Sequence, residues 1–365
     1  MAPPNRRLLL AVATAAALTV GGALAPAGAA TATGSDHGNR GDHSHLGVTS
    51  APLVRGLYQS AYSERHDALW ITASVGQPPA AATSSHLVKA DPDTLKIEAV
   101  YPVGATPSGG IESVHGIDVD DEHGTVWVTG TRDNSVSVYS QRTGKRLATL
   151  PGVSHSREVV VDRRRDTVWA SAFGDGSLVA YDSRTFEEKK RVTVEGAGPT
   201  GLAVNERTGT VYAADHTHDR IIELAADSDE PRFLPAGDGP LAVALSRDGR
   251  TAYTADQTTG TLSVLDLREG DITATVRTGE GAKSLAVAPR SGRVLVVGRL
   301  VGKVSVVDPH RGTVERTVDT GPLPNHIAMA EDGTAFVTDK SGTGPAGEDR
   351  LTRIAPVHGT AHRRK

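Results

Sequence analysis

The chain of 365 residues contains no cysteine. That absence excludes a disulfide framework, a thiolate zinc site, a CxxCH haem attachment and a lipidated cysteine, so the fold holds by packing alone. Aromatic residues make up only 4% and methionine occurs twice. No segment sustains the 3.6-residue apolar period of a helix, which leaves an all-β chain. Positive charge is not in excess: the formal net charge is -4, and about -6 once Arg6 and Arg7 are set aside with a cleaved leader. Such a balance argues against broad binding to nucleic acid or anionic membranes. The sequence also lacks a GxSxG elbow, a phosphate-binding glycine loop and a Ser-His-Asp spacing signal, so it carries no signature of nucleophilic hydrolysis.

What is present is a repeat. In residues 241–279 a small apolar run at 241–245 is followed by the turn Arg247-Asp248-Gly249-Arg250, where glycine supplies the positive φ that closes a hairpin. Further strands are predicted at 251–255, 261–267 and 272–277, separated by turn clusters. Four short antiparallel strands in about forty residues make one propeller blade. The first two strands are almost continuously apolar whereas 272–276 alternates, which fits inner strands sandwiched between neighbouring blades and an outer strand that is half wet.

The large apolar residue of each second strand sets the register: Trp70, Trp127, Trp169, Tyr212, Tyr253, Leu295 and Phe336, at spacings of 57, 42, 43, 41, 42 and 41. Seven units at a nearly constant period predict a seven-bladed β-propeller of four-stranded antiparallel blades. All three tryptophans fall at this register, which marks it as a packing position. The long first interval comes from an insertion at 76–85, and a second long loop spans 104–113. The last unit offers strands at 326–330, 334–339 and 351–355 but no fourth. A spare strand at 48–54 is expected to complete that blade, so that the chain ends are stitched together and no raw edge remains.

The propeller is thus expected over residues 48–356. Before it, 1–30 reads as a signal peptide, with Arg6-Arg7, an apolar stretch and the small-x-small site Ala27-Gly28-Ala29. Export is the expectation, and a twin-arginine route and an ordinary secretory route both fit the Arg6-Arg7-Leu8-Leu9 start. Residues 31–47 form a His- and Gly-rich linker whose His37, His43 and His45 bind metal only adventitiously, and 357–365 is a basic tail. The mature chain is expected to be a monomer with no membrane span, located outside the cytoplasm.

Trp127-Val128-Thr129-Gly130, Tyr212-Ala213-Ala214-Asp215, Tyr253-Thr254-Ala255-Asp256 and Phe336-Val337-Thr338-Asp339 resemble degenerate copies of the signature of bacterial YVTN-repeat propellers. Ser263-Val264-Leu265-Asp266 and Ser305-Val306-Val307-Asp308 resemble its companion strand. Ala61-Tyr62-Ser63, Arg157-Glu158-Val159, Thr200-Gly201-Leu202-Ala203 and Pro324-Asn325-His326 are similar to segments of the periplasmic YncE-like subgroup, whereas Val296-Val297-Gly298-Arg299 departs from the signature. The motif specifies strands and turns, so the resemblance implies fold more than activity.

In such a disc the loops between blades converge on one channel mouth. Arg55, His115, Arg157, Lys283, Asn325 and His326 are placed there, with Arg132, Asp133, Asp175, Asp256, Arg299 and Lys340 on neighbouring loops. A mouth carrying several cations on an acidic protein predicts a binding or scaffold protein for an anionic partner: a small carboxylate or phosphate, a cell-wall polymer, another protein, or a single-stranded nucleic acid of the kind the YncE-like resemblance implies. No cofactor is required, but a divalent metal is open. His216 and His218 form an HxH pair. Glu112, Glu158 and Asn325 supply three oxygens for the alternative, an extracytoplasmic lactonase-like hydrolase using a mouth-bound ion, which Lys283 beside them would oppose. The basic runs 163–165 and 189–191 read as solvated turn charges.

Overall fold

The computed structural model describes residues 47–76, 81–106 and 109–356. The expected leader, nearly all of the His-rich linker and the basic tail lie outside the described residues, as does part of the first insertion. Seven four-stranded sheets form the ring. The strands of every sheet pair antiparallel. Residues 241–279 become one blade, with strands Pro240–Leu245, Thr251–Asp256, Thr261–Asp266 and Asp271–Arg277.

Burial follows position within the blade. The second strands Thr125–Gly130, Thr167–Ala172 and Thr210–Asp215 are buried at every residue. The outer strands Ile97–Pro102 and Arg146–Pro151 instead alternate between exposed and partly covered, because only one of their faces meets a neighbouring blade. The first insertion is shorter than expected, since the third strand of blade 1 already starts at Ser84.

The apolar core is divided into seven clusters, one at each junction between blades. Trp70 packs with Val114 and Ile117 of blade 2, and Trp127 with Val159 and Val168 of blade 3. Trp169 meets Val211 of blade 4, and Tyr212 meets Val243 of blade 5. Tyr253, Leu295 and Phe336 repeat the step onto blades 6, 7 and 1. The constant sequence period is therefore a constant spatial step, each large side chain filling the gap to the next blade.

Closure joins the two ends of the ring. Val48–Pro52 pairs antiparallel with Arg350–Ile354 and completes blade 7. Asp349 fixes the seam: its carboxylate accepts from the amides of Gly56 at 2.7 Å, Leu57 at 2.9 Å and Gly342 at 2.8 Å. The acidic residue that ends the repeated signature has a similar use. Asp215 accepts from Gly198 N at 2.8 Å, and Asp339 from Leu323 N at 2.8 Å, so each anchors the loop that leads into its blade's innermost strand.

Each innermost strand carries one extra residue near its start. The register shifts between Leu57 and Ser60, Val114 and Ile117, Ser156 and Val159, and Pro199 and Leu202. The remaining shifts lie between Pro240 and Ala242, Ala282 and Ser284, and Pro324 and His326. A bulge of this kind bends the strand and re-aims the side chains it carries. Repeated around the ring, it gathers seven bulges at one end of the central channel.

Candidate functional site

The bulges line a cavity of about 350 Å³ at that end. Blade 1 contributes Tyr58 and Gln59, blade 2 His115, blade 3 Arg157 and Glu158, blade 6 Lys283, and blade 7 Asn325 and His326. Blades 4 and 5 add Thr200, Leu202, Leu241 and Val243. One side of the cavity is thus polar and the other largely apolar.

Hydrogen bonds fix the polar side. Gln59 Nε2 donates to Glu158 Oε2 at 2.9 Å while its Oε1 accepts from Ile117 N at 3.2 Å. Asn325 Nδ2 donates to Tyr58 O at 2.7 Å, and its Oδ1 accepts from Arg299 Nη1 at 2.6 Å. His326 Nδ1 accepts from Ser60 N at 3.3 Å. Tyr58 stands edge-on to His115, centroids 4.2 Å apart, and carries Lys340 Nζ 3.8 Å above its ring. His115 is 8% exposed and its Nδ1 has no partner.

Charge in the cavity is strongly perturbed. These groups lie deep in the ring but are wetted by the channel. Burial lowers Lys283 to about 8, helped by repulsion from Arg157, Arg299 and Lys340. Lys340 is likewise lowered to about 8, by burial first. Burial raises Glu158 to about 7, against the pull of its Gln59 hydrogen bond. His115 and His326 are both lowered to about 3, chiefly by burial, with Lys340 and Lys283 respectively adding repulsion. At neutral pH both imidazoles are therefore neutral and Glu158 is only partly ionised, whereas Arg157, Arg132 and Lys283 carry charge.

Of the residues expected at the mouth, His115, Arg157, Lys283, Asn325 and His326 meet in the cavity, joined by Arg132. Arg299 stands behind Asn325 as its hydrogen-bond donor. Arg55 is not among the lining residues; it is exposed on the loop before blade 1, 3.7 Å from where a side chain on Gly347 would begin. It precedes the bulge rather than sitting in it. Asp133 is spent on Ser113 N at 2.7 Å, and buried Asp256 accepts from Thr254 and Ser263, both at 2.7 Å. Asp175 lies in a separate shallow depression. Gln59, Tyr58 and the apolar wall were not foreseen, because an ordinary alternating strand would turn half of them away.

The proposed metal ligands are arranged as follows. His218 Nδ1 lies 3.0 Å from Asp215 Oδ2, which also holds Arg220 at 2.8 Å. His216 Nδ1 is buried without a partner, its ring facing Gly239. Glu112 is inside blade 2, accepting from Ser137 Oγ at 2.6 Å with Arg146 3.5 Å away. With Asn325 committed to Arg299 and Tyr58, only Glu158 of the three expected oxygen donors is available in the cavity, so that donor set fits a cation poorly. Among the described residues Glu122, His123 and Asp166 come within 4.8 Å of one another on the opposite face. His123 there is already bonded to Asp120 at 2.7 Å. The run Lys189-Lys190-Arg191 lies on an outer strand, Glu188–Thr193, and not in a turn.

No family model and no curated protein matches the chain. The ring is similar to a solved streptogramin B lyase, with a TM-score of 0.68 at 12% sequence identity, over 85% of this chain and 98% of that one. A likeness at this identity bears on the fold. Among the described residues no helix is long and apolar enough to cross a membrane.

Proposed function

We propose that the protein is an exported, non-catalytic binding propeller whose channel mouth takes a small anion, a carboxylate or a phosphate. Lys283 carries the reading. It lines the cavity beside Arg157, and among the described residues neither makes an ion pair within 4 Å. Its ammonium faces three other cations and a single carboxylate, Glu158, that is itself only partly ionised at neutral pH, so the cavity carries positive charge that an anion would balance. The neutral His115, with its unpartnered Nδ1, adds a hydrogen-bonding group for orientation. The cavity volume of about 350 Å³ suits a small molecule better than a polymer or nucleic-acid strand. The signature resembling YVTN-repeat, YncE-like propellers and the expected leader support a secreted binding protein.

Calorimetric titration with citrate and phosphate at two salt concentrations tests this reading. Binding should weaken with salt and fall at least tenfold on Arg157→Ala or Lys283→Ala. Salt-insensitive binding, or binding that survives both changes, refutes it.

A catalytic reading of the same cavity has one observation behind it. The Glu158 carboxyl lines the cavity and is pushed up to about 7, in the range of a general base. Glu158→Gln would then retain anion binding while abolishing turnover. The metal-dependent hydrolase finds less support, since Glu112 is held inside blade 2.

A further inference from the structure

We infer that the opposite end of the channel is a second ligand site, one that takes an amphipathic anion: a single acidic headgroup on an apolar body. A cavity of about 500 Å³ opens there, bounded by the turns that follow the innermost strands of blades 3, 4 and 5. Each turn brings one arginine to the rim, Arg164, Arg207 and Arg247 in succession, and all three are exposed. Among the described residues none of them lies within ion-pair distance of a carboxylate. Arg163 differs: it is 3.3 Å from Glu206 and also offsets Asp118, both of which line the cavity. The carboxylate of the blade 5 turn, Asp248, accepts from Ser246 Oγ at 2.6 Å and Arg250 N at 3.2 Å and is lowered further by the charges of Arg250 and Arg207, so it offsets part of the rim charge.

The turns are braced. Arg165 pairs with Asp162 at 3.1 Å and donates to Glu206 O at 2.9 Å and Arg207 O at 3.1 Å, so it ties the blade 3 turn to the one carrying Arg207. Arg247 reaches Pro289 O of blade 6 at 3.5 Å. The three arginines are therefore carried on supported backbone around one opening, where with Arg163 they outnumber the lining carboxylates Asp118 and Glu206, and one anion offsets the remaining positive charge.

The floor selects the rest of the ligand. Leu202, Val243 and Leu285 line this cavity and the first one alike, forming an apolar waist between the two. Val204 and Leu245 continue the apolar surface toward the rim. A bare inorganic anion would leave that surface wet, whereas an alkyl or aromatic body covers it. The inference is independent of what the first mouth binds.

Calorimetric titration of the full chain with decanoate at pH 7 and low salt tests it, with decylammonium and sulfate in parallel. In the Arg157→Ala background, which disables the first mouth, decanoate should bind at one site, at least tenfold more weakly when Arg207→Glu/Arg247→Glu is added and to an intermediate degree with Arg207→Gln/Arg247→Gln. Neither decylammonium nor sulfate should displace it. The inference is overturned if decanoate does not bind, if binding survives the double reversal or is lost in Arg157→Ala, or if sulfate or decylammonium displaces it. The substituted residues sit on exposed turns, and an unchanged circular dichroism spectrum and melting temperature establish that the variants are folded.

Discussion

Replacing Lys283 with methionine should make the protein more stable and, at the same time, unable to hold its anion. In the unfolded chain the amine titrates near its ordinary value of 10.5, and in the ring it titrates at about 8. Below pH 8 the folded protein therefore carries a charge that the site disfavours, and the penalty is fully present there. As pH rises from 8 to 10.5 the folded form sheds its proton before the unfolded form would, and the penalty shrinks. The shift is equivalent to about 3 kcal/mol, and water in the channel reduces this to about 1–2 kcal/mol. Urea unfolding at pH 6 should thus show Lys283→Met more stable than the parent by that amount, with the difference shrinking to about a quarter by pH 10 and vanishing only above about pH 11. Glu158 interferes little at pH 6, because its carboxyl, raised to about 7, is already mostly protonated. A variant that is less stable than the parent at pH 6, or a gain that is the same at pH 6 and pH 10, refutes the reasoning.

A chain beginning at Gly56 loses the strand Val48–Pro52 and the buried Leu53. It should lose roughly 2–4 kcal/mol and aggregate through the uncovered Arg350–Ile354 edge; equal melting temperatures for the two chains would show that the seam is unimportant. Trp127→Ala empties the junction between blades 2 and 3, where Trp127 is fully buried. Its cost in denaturant unfolding should be about 3–5 kcal/mol, with channel-mouth ligand affinity changed less than by Lys283→Ala. His216→Ala/His218→Ala should leave zinc affinity unchanged, because His218 is turned to Asp215 and His216 toward Gly239; a tenfold loss in a metal titration would restore the HxH pair as a ligand set.

The sequence makes the ring legible and leaves the mouth half-hidden, and the reason is one residue per blade. Large apolar side chains recur because each must fill the same gap, so Trp70 through Phe336 report blade number and closure directly. A bulge leaves no comparable trace. Alternation alone would put either Arg157 or Glu158 in the channel, yet the extra residue in that strand brings both to the cavity. The same shift carries Tyr58 and Gln59 inward together on blade 1. Arg55 shows the converse error, since loop position without the bulge does not aim a side chain at the channel. Glu112 shows a third: a carboxylate just ahead of an innermost strand looks like a ligand until Ser135, Ser137 and Tyr139 of its own blade bind it. Chemistry on a repetitive ring thus depends on where its strands break their own period. The strongest demonstration would be to delete one residue of the Arg157-Glu158 pair: restoring the regular ladder should preserve the blade while removing one charged group from the mouth.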